Sequence, residues 1–280
     1  MTMLTTNASG ILSPEEVGEL VVQPLQQRSV ALQTTTVVPM TTSAELRVPI
    51  VTEDVSASWT EEGQEIDLSE SQVDSITIVP AKLAAITPVS SELAEDSSPE
   101  ATRLVMDSVT RDLQLKLDSA FLGATVLHGP SGLLSVGDAT PIPSGGFVNL
   151  DPFFAAQSEA EALGATITAW ITSPATALQL AQLKVATDWN QPLLVTGEDS
   201  TGKPQRVIGG VPLYVSRGCS AGVVWGIDRS RVITALRRDV DVRVSDQVLF
   251  TSDRICVRAT LRASFGFPHG ASIMRIGSGS

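Results

Sequence analysis

Two short stretches hold residue types that could do chemistry, and each needs a particular scaffold to do it. Gly218-Cys219-Ser220-Ala221-Gly222 fits the GxSxG pattern of a serine presented on a sharp turn, and several aspartates and then His269 follow it. A serine in that pattern becomes a nucleophile when a strand enters the turn and a helix leaves it. The residues that follow are VVWGID, which are strand-like. A turn between two strands is therefore the favoured reading, with a serine hydrolase using Ser220 as the alternative. Gly197-Glu-Asp-Ser-Thr-Gly202-Lys203-Pro204 comes close to the phosphate-binding pattern GxxxxGK followed by Ser or Thr. Pro204 stands where a magnesium-binding hydroxyl is required and offers neither hydroxyl nor N–H. A polar hairpin tip is favoured there.

Metal and redox chemistry find little support. His128, in HGPSG, and His269, in FPHG, each sit beside Gly and Pro in turn-like chain with no second ligand at useful spacing. Cys219 and Cys256 lie far apart without a CxxC pattern and read as small buried apolar residues of a reducing compartment. The acidic run of Val51 to Gln72 lacks the alternating Asp/Asn spacing of a calcium loop. No cofactor, metal or catalytic residue is expected.

The strongest local signal is electrostatic. VTEDVSASWTEEGQEIDLSESQ, from Val51 to Gln72, holds seven acidic residues, no basic one and a lone Trp59. From Glu45 to Glu100 there are 13 acidic and 2 basic residues, whereas from Thr201 to Ser280 there are 5 acidic and 12 basic. Such polarity suits two regions that meet, within one subunit or between neighbours. The net charge of −12 argues against wrapping nucleic acid by phosphate neutralisation.

The elements that must carry these residues follow from apolar spacing. A chain of 280 residues buries about three-quarters of its surface on folding, enough for a large core. Nothing at the N-terminus resembles a signal peptide, and no run reaches the ~18 apolar residues of a membrane span, so a soluble protein made in a cytoplasm is expected. Ser13-Pro14-Glu15-Glu16 reads as a helix start, soon interrupted by Gly18 and Pro24. Leu46, Val48 and Ile50, then Ile76 and Ile78, alternate with other residues and predict two strands flanking the acidic middle. A ribbon so thin in apolar residues is marginal alone, so support from outside it is expected. Val105, Val109, Leu113, Leu117 and Phe121 recur every four residues, with Leu104 and Ala120 beside them and Asp118 among the residues of the opposite side. They predict a helix of about 24 residues, ~36 Å long, capped at Ser97 or Ser98 and ending before Gly123. Loop-like chain from Gly129 to Gly146 precedes a helix capped by Asp151 and stopped at Gly164, and a region of alternating strand and helix follows. In RICVRATLRASF, Ile255, Val257, Ala259, Leu261, Ala263 and Phe265 point one way, while Arg254, Cys256, Arg258, Thr260, Arg262 and Ser264 point the other, so that three arginines make a row on that face.

The order of Trp59-x-x-Glu62-Gly63, an extended return strand ITIVPAKLAAITPVSSELAEDS, a long helix ending in FLG, and HGPSGLL resembles the major capsid proteins of tailed bacteriophages with the Hong Kong 97 fold. VIGGVPLYVS and the final strand resemble later landmarks of that family. The resemblance covers nearly the whole chain from about Ser13. It implies an α+β fold with an N-terminal arm (1–43), an extended β-hairpin loop (44–81), a peripheral domain (82–128 and 249–280) built on a spine helix (about 99–122), and a mostly axial domain (129–248). It further implies a homo-oligomer of pentamers and hexamers forming an icosahedral shell around double-stranded DNA bound without sequence specificity. Assembly in a bacterial cytoplasm, a portal, a separate scaffolding protein and a possible decoration protein belong to the same expectation, with no membrane. An encapsulin-type compartment shell, which resembles this fold and encloses proteins, is the alternative.

Two departures matter. Some members of that family weld their shells through a lysine of the extended loop, but no lysine occurs between Arg47 and Pro80. A non-covalent grip is expected in its place. Some members also carry a scaffolding segment before the arm; here the chain starts almost at the arm, so a separate scaffold or a removed segment is expected. The candidate inter-subunit contacts are Trp59, Glu61, Glu62 and Glu65 of the ribbon against Arg254, Arg258 and Arg262 of a neighbour, with a row facing solvent or packaged DNA as the competing expectation.

Overall fold

Apolar residues four apart between Val105 and Phe121, and two apart between Ile255 and Phe265, predict a helix laid across a sheet, and the computed structural model contains that arrangement. It describes residues 23–41, 43–53, 57–61, 63–64, 71–90, 100–184, 191–198, 204–237 and 240–277. The helix start at Ser13 and the caps at Ser97 and Ser98 lie outside these residues.

Two short helices, α1 (Gln23–Arg28) and α2 (Val30–Thr34), lead into strand β1 (Thr36–Met40). Strands β2 (Leu46–Glu53) and β3 (Gln72–Ile78) form the antiparallel ribbon, followed by β4 (Ala81–Ser90) and the long helix α3 (Glu100–Leu122). Then come β5 (Thr140–Pro143), α4 (Asp151–Ala162), β6 (Ala169–Thr172), α5 (Pro174–Ala181), β7 (Val195–Glu198), β8 (Pro204–Ile208), β9 (Val211–Val215) and β10 (Val223–Ile227). The chain closes with β11 (Ile233–Arg237), β12 (Asp241–Leu249), β13 (Arg254–Gly266) and β14 (Met274–Gly277).

The first sheet is organised by β13, the longest strand. β4 runs antiparallel along one edge from Arg254 to Ala263, while β12 and then β11 occupy the other edge, and β1 lies outside β11. Its inner face meets α3. Leu113, Leu117 and Phe121 are buried against Ala259, Leu261, Ala263 and Phe265, and the Phe121 and Phe265 rings lie 5.0 Å apart. Each such side chain contributes about 1.5–3 kcal/mol by leaving water. One expected member of the stripe differs: Leu104 is 71% exposed, because the buried face runs through Met106, Val109, Leu113, Leu117, Ala120 and Phe121, and two residues from Met106 is about 200° around the helix.

The second sheet runs β5-β14-β10-β6-β9-β8-β7. Its core holds Phe153 of α4 and Trp170 of β6, packed edge to face at 5.0 Å, and the Trp170 indole N–H donates to the Ile208 carbonyl at 3.1 Å. The loop-like stretch from Gly129 to Gly146 contributes β5, held parallel to β14. Asp151 is the first residue of α4 rather than its cap; Leu150 occupies the cap without a side-chain bond. The helix ends at Gly164 in the left-handed region (φ 64°), as anticipated. Sheet pairing cuts across sequence order: β11 and β12 join β4 and β13, whereas β14 joins β10 of the other sheet.

Candidate interaction surface

The ribbon is built in two unlike halves. Leu46 faces Ile78 and Val48 faces Ile76 across its strands, so the apolar positions share one face near the root. There Ile78, 3% exposed, packs with Met40 and Ala235, while Leu46, Val48, Ile76 and Ile233 close around them. Gly266 makes this contact possible: a Cβ on it would lie 2.1 Å from Ile78 Cδ1. The support expected from outside the ribbon therefore comes, at the root, from the same chain. Farther out, Ile50 faces Asp74, Val51 and Val73 are exposed, and Trp59 is fully exposed. Glu61 is exposed as well; Glu62 and Glu65 lie outside the described residues.

The arginine row lies on the outer face of the first sheet. Arg254, Arg258 and Arg262 are exposed, with Ser90, Ile86 and Lys82 opposite them on β4. On β12, Arg243 stands opposite Arg258 and Asp241 opposite Thr260. A cleft of about 330 Å³ opens at the Arg262 end, lined by Thr41, Lys82, Arg237, Asp241, Arg258, Thr260 and Arg262. The carboxylate of Asp241 is engaged by Arg243, Nε to Oδ2 at 3.1 Å. Among the described residues no carboxylate lies within salt-bridge distance of Lys82, Arg237, Arg254, Arg258 or Arg262. Arg258 beside Arg243 and Arg262 beside Lys82 are like-charge pairs directly across strands, an arrangement that destabilises an isolated sheet. Ribbon and arginine row make no ion pair with each other among the described residues of one chain. Lys82 and Arg237 were not among the candidates from sequence; pairing of β4 and β11 with β13 brings them to the cleft, and spacing along the chain carries no signal of it.

Sequence reasoning also missed a buried anchor. Asp118, placed among the polar residues of α3, is buried. Its carboxylate accepts from Ser29 Oγ at 2.7 Å, Ala31 N–H at 3.0 Å and Val30 N–H at 3.2 Å. Burial pushes its pKa above the usual carboxylate value, against the opposing pull of these bonds and of Gln114. Gln114 Nε2 also donates to the Arg28 carbonyl at 3.0 Å, so one turn of α3 holds the junction of α1 and α2. Asp228 shows the reverse balance. Burial raises its pKa, but donors from Ser230 and Thr166 and the nearby Arg231 outweigh that and hold it below the usual value.

Neither chemical motif has its scaffold. Ser220 is exposed on a turn between β9 and β10, and a strand leaves that turn. The glycine that opens the pattern has a packing reason: a Cβ on Gly218 would lie 2.7 Å from Ser119 Cα of α3. Cys219 is buried, and desolvation pushes its thiol up to about 12. Glu198 pairs with Pro204 in the antiparallel β7–β8 hairpin, whose tip, 199–203, lies outside the described residues. His128 and His269 are exposed, and among the described residues no three His, Cys, Asp or Glu side chains gather as a metal site. Among the same residues no helix is long and apolar enough to cross a membrane.

A long helix across a β13-centred sheet, a second sheet beside it and a projecting two-stranded ribbon together make the Hong Kong 97-like fold. The model of the phage capsid family matches residues 9–276, and the chain belongs to that family. It is a bacteriophage capsid protein, a structural component of the virion. Among solved structures it is similar to a chain from Microbacterium phage Oxtober96 (TM-score 0.69, 19% identity, 90% of this chain and 91% of that one). It is also similar to a chain from Mycobacterium phage Bobi (TM-score 0.68, 19% identity, 96% and 99%) and to one from the capsid of a native GTA particle computed with C5 symmetry (TM-score 0.65, 16% identity, 100% and 95%). No curated protein matches the chain.

Proposed function

We propose that this capsid protein assembles into pentamers and hexamers of an icosahedral head that encloses double-stranded DNA, and that non-covalent contacts hold the head together. The observation that carries the reading is the ribbon: its root is buried in its own chain, while its outer half presents Trp59, Val51 and Val73 to water. Aromatic residues left bare on a monomer act as anchors in interfaces. The absence of lysine between Arg47 and Pro80 removes the amine that an isopeptide weld from this segment needs.

In this reading the first sheet and α3 form the peripheral domain, the second sheet forms the axial domain, and the residues before β1 form the arm. β11 and β12 go with the peripheral sheet and β14 with the axial one, following their pairing. A portal and a scaffolding function act during assembly in the bacterial cytoplasm, and a decoration protein can join the finished head. The chain has no catalytic task. Electron microscopy of the purified protein is the test: closed shells with five-fold vertices, filled with DNA and carrying a portal vertex when taken from phage, are expected. Particles that enclose protein and lack a portal would identify a compartment shell, and a chain that stays monomeric would overturn the shell reading. On a denaturing gel, shells should run as single chains rather than as a ladder.

A further inference from the structure

We propose that the cleft at the Arg262 end of β13 is a receptor for carboxylates of the acidic ribbon of a second copy, and that Arg254 stands outside it. The inference rests on the shell reading and adds where, and with which groups, neighbouring copies meet. Arg258 and Arg262 line the cleft from β13, Lys82 from β4 and Arg237 from the end of β11, with Thr41 and Thr260 completing the lining. Its lining acid, Asp241, already holds Arg243. The guanidinium fork donates two parallel N–H bonds to a carboxylate, so three arginines and a lysine suit a small group of carboxylates. Like-charge cross-strand pairs that destabilise the free sheet are relieved once an anion lies between them.

The occupant follows from charge. In one chain the described ribbon carboxylates Glu61 and Asp74 form no ion pair with the cleft. Yet the segment around them is the densest source of negative charge in a chain of net charge −12. A second copy therefore brings the complementary surface with it. A duplex backbone is disfavoured, since it would meet the negative charge of the same subunit. Arg254 is eight residues from Arg262 along an extended strand, about 27 Å away, with Ser90 and Leu249 as its cross-strand partners. One carboxylate group cannot serve both ends.

Shells of the full chain provide the test, read as dissociation in urea at low and high salt. Arg258→Gln with Arg262→Gln should lower the dissociation midpoint at low salt and abolish its salt dependence, while Arg254→Gln leaves both unchanged. Glu61→Gln with Asp74→Asn in the ribbon should reproduce the loss, and combining ribbon and cleft changes should add little further. Equal effects from Arg254→Gln, additive losses, or an unaltered midpoint would overturn the proposal. A loss confined to DNA-filled shells and missing from empty ones would assign the cleft to DNA phosphates and overturn it too. Cryo-electron microscopy of wild-type shells gives an independent reading: a ribbon carboxylate of a neighbouring copy at Arg258 or Arg262 is expected, and an open cleft there would overturn it. Wild-type protein that forms no shell would overturn the shell reading itself, whereas intact shells indifferent to the cleft would overturn this inference alone.

Discussion

The two faces of β13 answer to different partners. Val257, Ala259, Leu261, Ala263 and Phe265 are buried against α3, whereas Arg254, Arg258 and Arg262, interleaved with them on the same strand, find no carboxylate among the described residues of their own chain. The ribbon repeats the contrast along its length: Ile78 is enclosed at the root and Trp59 is bare farther out. Residues satisfied within one chain stabilise the subunit. Residues left unsatisfied are the ones available to contacts between copies. Destabilisation of the subunit and destabilisation of the shell should therefore be separable by mutation.

Leu261→Ala should produce the largest effect, a loss of about 2–5 kcal/mol in urea unfolding of the subunit, as for other buried leucines. Arg262→Gln, one residue away on the opposite face, should change subunit stability by less than about 0.5 kcal/mol. Comparable losses in the two would break the comparison.

Asp118→Ala comes next, with a cost of about 2–4 kcal/mol, because three donors at the start of α2 lose their acceptor inside the fold. This site also has a pH signature. The folded pKa lies above the unfolded one, so the folded subunit holds the proton more tightly. Its stability contribution is full below about pH 4 and is lost as pH rises through the raised value. Urea midpoints across this window should fall with pH in the wild type and lose that component in Asp118→Asn.

Gly266→Ala pushes a methyl into Ile78 and should cost about 1–3 kcal/mol. Limited proteolysis should then cut the ribbon faster, while the near-ultraviolet signal of buried Trp170 and Trp225 persists. Trp59→Ala should leave subunit stability within about 0.5 kcal/mol yet lower the dissociation midpoint of shells, which sharpens the distinction between root and outer half. Ser220→Ala should change neither quantity, since its hydroxyl sits on an exposed turn.

Much of the fold is legible in the order and spacing of residues. The four-residue period marks α3, and strict alternation marks β13, because helix and strand each repeat their buried positions at a fixed interval. The order of landmarks from Trp59 to HGPSGLL leads to the family. Asp118 reads as a solvent-side residue because of its polarity, and nothing local shows that the start of α2 lies over it. Gly218 resembles part of a nucleophile elbow; its closeness to Ser119 arises between segments about a hundred residues apart in the chain. Lys82 and Arg237 carry no local mark of the cleft for the same reason.

The sequence by itself determined the elements, the acidic ribbon without lysine and the opposing rows of β13, since each depends on residue type and short-range period. Only the tertiary structure decided which charges become neighbours. Strand pairing joined Lys82 and Arg237 to Arg258 and Arg262, and helix packing sealed Asp118 beneath Ser29. Such contacts depend on register between distant segments, which is set by the packing of the whole core and is not written in any single stretch.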